Sequence, residues 1–186
     1  MFTGREIQRE REWIDAIQRG EERAFEELFH FYFPDLCAYA VTLTGTADLA
    51  REVVQEVFLK LWESRERWNV RVGIAPYLYR SVRNQALTCI RQRRLHINLD
   101  LDWHDRAADG NVEDNLQFKT LMAAYRAAVA ALPERRRTAF VLHREHAMSA
   151  AEIAVVMQIS ERTVETHIGH ALAALRENLA EFLDHG

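Results

Sequence analysis

The sequence predicts an all-α fold of two small helical domains joined by a flexible acidic linker. Three observations carry this. Apolar residues return at helical spacing along most of the chain. Only seven Gly and three Pro interrupt 186 residues, which implies few turns and long helices. The periodicity lapses over residues 95–117, LHINLDLDWHDRAADGNVEDNLQ, where the composition turns acidic as in an interdomain linker. With 48% hydrophobic residues, the chain has enough apolar mass for a core in each half.

Residues 1–23 are read as an N-terminal helical extension. Arg and Glu crowd around Trp13, Ile14 and Ile17, a pattern suited to a surface helix with a narrow apolar stripe, and no role attaches to it. From Ala24, residues Phe25, Leu28, Phe29, Tyr32, Leu36, Tyr39, Ala40 and Leu43 keep helical spacing to Thr44. Pro34 falls inside this helix and Gly45 suits its C-terminal cap. Its aromatics read as packing residues rather than a ligand box.

Thr46 is placed to cap a helix from Ala47 to about Arg65, with Ala50, Val53, Val54, Val57, Phe58 and Leu61 facing inward. Asp48, Glu52, Gln55 and Glu56 share its other side. They make poor catalytic carboxylates, because an exposed face lacks the burial that separates two pKa values and no nucleophile stands beside them. The face is either simply solvated or a dock for a cationic partner.

Gly73 and Pro76 bracket a loop, and Pro76 is expected at the first position of a helix running from Tyr77 to about Arg94. Leu78, Val82, Ala86 and Ile90 form its inward stripe. Tyr77, Tyr79, Arg80, Arg83 and Asn84 are left to other faces. Rings interleaved with arginine suit single-stranded nucleic acid, where rings stack on bases and guanidinium groups hold phosphates. Net charge is −4, against nonspecific coating of nucleic acid, yet Arg80, Arg83, Arg91, Arg93 and Arg94 form a basic block before the acidic linker.

After the linker, Phe118, Leu121, Met122, Tyr125, Ala128, Val129 and Leu132 define a helix that stops at Pro133, which starts another bearing Arg135, Arg136 and Arg137. Ser149 and Glu152 make a capping box for a helix to Met157. Gln158 and Ile159 form a turn, and Ser160 caps a last helix with Val164, Ile168, Ala171, Leu172, Leu175, Leu179 and Phe182 at helical spacing. This is a helix-turn-helix. Arg162, Thr163, Glu165, Thr166, His167 and His170 lie on the first turns of the last helix, where side chains reach base edges and phosphates from the major groove.

Several classes are disfavoured. No P-loop, GxSxG or HExxH stands in the chain, so an enzyme is the weakest reading. His143 with His146, and His167 with His170, lack the further ligands that complete a metal set. Cys37 and Cys89 have no CxxC partner and read as buried thiols. The N-terminus is charged and no long apolar run occurs, so a cytoplasmic protein is expected.

Taken together, the blocks resemble the sigma-70 family of bacterial RNA polymerase specificity subunits, in its extracytoplasmic-function (ECF) class. AFEELFHFYFPDLCAYAVTLTGTADLAREVVQEVFLKLWE is similar to the first part of the family's region 2, PYLYRSVRNQALTCIRQRR to its promoter-melting part, and LPERRRTAFVLHREHAMSAAEIAVVMQISERTVETHIGHALAALRE to region 4. The resemblance implies region 2 over residues 24–94 and region 4 over residues 118–186. It implies that Asp48, Glu52, Gln55 and Glu56, with Phe58 and Leu61 behind them, meet the β′ clamp helices of core RNA polymerase, and that the β flap is a further contact. Asn69, Tyr77 and Asn84, with the loop of residues 69–75, match positions that capture a flipped base of the −10 element, and Arg80, Arg83, Arg91 and Arg93 match positions that hold its backbone. Arg162, Thr163, Glu165, Thr166, Gly169 and His170 match positions at the −35 element. Polymerase does the chemistry, so no active site, metal or cofactor is implied, and an anti-sigma factor is an implied partner. Tyr77 departs from the more usual Trp. Gln158 stands where Gly is usual in the turn, which demands a left-handed non-glycine residue. A stand-alone helix-turn-helix regulator explains only the C-terminal half, and a decoy that binds an anti-sigma factor leaves the base-reading side chains without use.

Overall fold

The computed structural model describes residues 4–70, 72–97 and 116–180. The described residues form α1 (Gly4–Gln18), α2 (Glu22–Thr44), α3 (Ala47–Glu63), a 3₁₀ turn (Arg65–Arg67), α4 (Ile74–Ile97), α5 (Leu116–Ala131), α6 (Glu134–Arg144), α7 (Ala150–Met157) and α8 (Glu161–Asn178), with no strand among them. Two compact units result, one built on α1–α4 and the other on α5–α8. The expected linker lies mostly outside the described residues, but its two edges are helical: α4 runs on to Ile97 and α5 starts at Leu116.

In the first unit, α2, α3 and α4 pack against one another and α1 lies against α2. Leu28, Leu36 and Tyr39 of α2, Val53, Val54, Phe58 and Leu61 of α3, and Leu78, Val82 and Ala86 of α4 are all buried. Each buried Leu, Val or Phe side chain contributes about 1.5–3 kcal/mol, so the shared core rather than any one helix's propensity holds the unit. Phe29 stacks on Phe33 at 4.5 Å between ring centroids and meets Phe58 edge-on at 4.9 Å. Tyr32 and Tyr39 are buried as well, whereas Phe31 of the same helix is 55% exposed.

Caps fix the helix ends. Gly45 closes α2 at φ 80° and its N–H donates to the Val41 carbonyl. The Thr46 hydroxyl accepts from the Leu49 N–H at the start of α3. α2 continues through Pro34. α4 begins at Ile74, three residues before the expected Tyr77, and Pro76 therefore lies in the first turn rather than at its first position. This is tolerated because the leading N–H groups of a helix have no intrahelical acceptor, so a residue without one loses nothing there.

In the second unit, α6, α7 and α8 pack together around Ala139, Phe140, Leu142, Ile153, Val156, Val164, Ala171 and Leu175. Leu121 and Leu172, expected to face inward, are each 39% exposed. Phe182 lies outside the described residues. Cys37 and Cys89 are free and half-buried, not the fully buried thiols expected.

Candidate polymerase and promoter interfaces

The helix-turn-helix has the local chemistry its sequence implies. The Ser149 hydroxyl accepts from the Glu152 N–H at 3.3 Å while Glu152 Oε2 accepts from the Ser149 N–H at 2.8 Å, completing the capping box. Gln158 ends α7 at φ 58° and ψ 47°, the left-handed residue the turn demanded. Ser160 then caps α8, its hydroxyl accepting from the Thr163 N–H at 3.2 Å.

On α8, Arg162, Glu165, Thr166, Gly169 and His170 are exposed and Thr163 is half-buried. A methyl group built on Gly169 meets nothing within 4 Å, so open space lies over that turn. The Thr163 hydroxyl is engaged with Ser160 at 2.7 Å, and Thr166 donates to the Arg162 carbonyl at 2.9 Å. Burial lowers the pKa of His167, and the positive charges of Arg135 and Arg136 on α6 lower it further. Those arginines therefore add their field to α8 without lying on it.

On α3, Asp48, Glu52 and Gln55 are exposed and Glu56 is half-buried. Phe58 and Leu61 are each only 2% exposed. Their side chains belong to the core, so any part they take at this face is support from beneath rather than contact. All three carboxylates already have weak cationic neighbours: Asp48 with Arg51 at 3.4 Å, Glu56 with Lys60 at 3.1 Å, and Glu52 with Arg93 of α4 at 3.7 Å. Lys60 also donates to Gln85 Oε1 at 3.0 Å. Sequence reasoning passed over Lys60, although its i,i+4 spacing from Glu56 was a usable signal.

Arg80, Asn84, Arg91 and Arg93 are exposed on α4, and Tyr77 and Arg83 are half-buried. Tyr79, expected on a nucleic-acid face, is 4% exposed and its ring lies 5.2 Å from that of Tyr39. Its hydroxyl pKa is raised by burial. It is a core residue, because a side chain between Leu78 and Arg80 on a 3.6-residue turn can still meet α2. Asn69 and Asn84, assigned together to base capture, line different cavities. Asn69 shares one of about 460 Å³ with Trp68, Val70 and, from α1, Ile14, Asp15 and Gln18. Asn84 shares one of about 190 Å³ with Tyr77, Ser81, Gln85 and Lys60. The ring of Trp68, in the first set, lies 5.9 Å from that of Tyr77, in the second.

Among the described residues no group of three or more His, Cys, Asp or Glu side chains is placed to hold a metal ion, and no helix is long and apolar enough to cross a membrane.

Comparison with known proteins identifies the family. Sigma-70 region 2 matches residues 28–96 and sigma-70 region 4 matches residues 122–175. The chain belongs to the sigma-70 family. Within it, the relatives place the chain among the ECF sigma factors. The ECF RNA polymerase sigma factor SigW of Bacillus subtilis is 24% identical over 178 residues, covering 90% of this chain and 95% of that protein. The ECF RNA polymerase sigma factor SigM of Mycobacterium tuberculosis is 26% identical over 174 residues, covering 94% and 86%. The solved structure of the sigma factor RpoE in complex with the anti-sigma factor NepR from Bartonella quintana has the same fold, with a TM-score of 0.71 at 20% identity over 84% of this chain and 96% of that one. CnrH in complex with the cytosolic domain of CnrY gives 0.70 at 22% identity, over 93% and 98%.

Proposed function

We propose that this ECF sigma factor docks on core RNA polymerase through the α3 face of Asp48, Glu52, Gln55 and Glu56, at the β′ clamp helices, with a second attachment of the α5–α8 unit at the β flap. The α8 residues Arg162, Thr163, Glu165, Thr166, Gly169 and His170 then read the −35 element. Asn69, Tyr77, Asn84 and the α4 arginines take the separated non-template strand at the −10 element, where a base leaves the stack for a pocket. The polymerase supplies the chemistry, and the protein acts in the cytoplasm as a regulator of initiation without a catalytic step of its own. An anti-sigma factor is the proposed inhibitor. Its support is that both structural neighbours were solved with partners, one of them described as an anti-sigma factor.

The observation that carries the reading is the division of α3. Val53, Val54, Val57, Phe58 and Leu61 are buried, while Asp48, Glu52 and Gln55 are exposed. A helix so anchored presents its carboxylates rigidly, and charge complementarity with a cationic partner raises the association rate and selects the partner.

The test is transcription of a pool of genomic promoter fragments by bacterial core polymerase with and without the chain, and with Glu52→Lys/Glu56→Lys. New transcripts sharing two upstream elements, reduced at least about tenfold in the variant, are expected. Exposed pairs such as Glu56–Lys60 contribute about 0.2–1 kcal/mol at most, so the variant keeps its fold. No new transcripts, together with tight duplex binding by the chain alone, is the result that overturns the reading.

A further inference from the structure

Two hydrogen bonds tie α1, the helix to which no role attached, to both ends of the connection that carries Asn69. At the entry, Gln18 Nε2 donates to the Trp68 carbonyl at 2.7 Å. At the exit, the Ile74 N–H donates to Glu10 Oε2 at 3.2 Å, and the other Glu10 oxygen accepts from the Tyr32 hydroxyl at 3.3 Å. Glu10, Ile14 and Gln18 are spaced four apart on one side of α1. Ile14 and Gln18 also form part of the wall of the cavity that Asn69 lines.

The two contacts act on different problems. Ile74 opens α4, and its N–H is one of the leading donors a helix cannot satisfy from within; a carboxylate there also meets the positive end of the helix. Gly73 precedes it at φ 115°, a conformation that L side chains rarely adopt, and the Glu10 carboxylate lies against it. At the other end, the Trp68 carbonyl accepts beside a ring that is 3% exposed. Neither contact is needed to dock α1, because Trp13, Ala16 and Ile17 already bury its apolar side. Irregular backbone held at both ends loses less conformational freedom when a ligand arrives, and that saving appears as affinity and discrimination.

We propose that α1 braces the −10 reading connection, with Gln18 and Glu10 as positioning residues that set how strongly an extruded base is distinguished from no base. This rests on the reading of Asn69 given above. The substitutions that probe it are Gln18→Met and Glu10→Met, which keep bulk and remove the hydrogen bond, and Glu10→Gln, which keeps an acceptor for the Ile74 N–H.

The measurement uses the polymerase complex formed with the full chain and single-stranded non-template oligonucleotides of the −10 element. Each position carries in turn each of the four bases or an abasic site, and binding is read by fluorescence anisotropy. The expected result is that, at the extruded position, the preference for the best base over the abasic site falls about fivefold in each Met variant, from the loss of one hydrogen bond, and stays near wild type in Glu10→Gln. Affinity for the abasic strand and for core polymerase is unchanged. Unchanged preference in both Met variants overturns the brace, as does an equal fall for best-base and abasic strands, which marks general loss of structure. If Glu10→Gln falls as far as Glu10→Met, positioning through the hydrogen bond is likewise overturned. A wild-type complex that prefers no base over the abasic site at any position removes the base-capture reading itself, and the brace with it.

Discussion

Gln158 shows how far single residues decide this fold. At φ 58° it holds a conformation that costs a residue with a Cβ about 1–2 kcal/mol relative to the right-handed helix. Gln158 is itself the C-cap of α7, its N–H donating to the Ala154 carbonyl, and Ser160 caps α8 two residues on. Gln158→Gly removes the steric cost but loosens the unfolded chain, so a net gain of about 0.5–1 kcal/mol is expected, measured by urea denaturation at fixed pH. A loss of stability would mean that the Gln side chain's own interactions outweigh its backbone strain. The left-handed residue followed beforehand from the resemblance, in which Gly is usual at this position of the turn. Tyr79 was assigned to the wrong side although its spacing was available: it lies three residues before Val82 and seven before Ala86, on the buried side of α4, and its ring meets Tyr39 of α2.

Among elements, α3 and α4 show what periodicity supplies and what it omits. Every α3 residue expected to face inward is buried, because a 3.6-residue period leaves few ways to place Val53, Val57 and Leu61 against one partner. Phe58 is the largest of these side chains and meets both Phe25 and Phe29. Phe58→Ala is expected to cost about 3–5 kcal/mol, through reduced burial and the cavity left behind, read as a shift in the thermal or denaturant midpoint. A cost below about 1 kcal/mol would show that the neighbouring rings collapse into the space. The same burial removes Phe58 and Leu61 from direct contact at the proposed docking face. For α4, the start lies three residues earlier than expected because Pro76 signals a helix N-terminus without fixing which position it takes. The acceptor that settles the boundary, Glu10, lies 64 residues away in sequence.

Across the whole molecule, net charge and local charge give different answers. The chain is at −4, yet Arg80, Arg83, Arg91 and Arg93 of α4, and separately Arg135 and Arg136 of α6, concentrate positive charge where nucleic acid is proposed to lie. Binding should therefore be strongly salt-dependent despite the acidic total. Arg91→Ala/Arg93→Ala in the polymerase complex is expected to reduce the slope of log affinity against log salt by about 0.7 for each single-strand phosphate left without its arginine. An unchanged slope would remove these two arginines from the interface. Arg93 also stands 3.7 Å from Glu52, a pair with both side chains about half exposed or more, which solvent screens too well to hold either group in place.

The sequence by itself determined the all-α class, the helices and most of their caps, the two family regions and the helix-turn-helix. All of these rest on spacings of a few residues, where geometry is set by the helical repeat and by side chains meeting neighbouring backbone. The tertiary structure decided what depends on distant partners. It set the ring of Tyr79 against Tyr39, divided Asn69 and Asn84 between two cavities, and joined Gln18 to Trp68 and Glu10 to Ile74. No local pattern encodes those contacts, because each arises only when the shared core has brought separate helices within hydrogen-bonding reach.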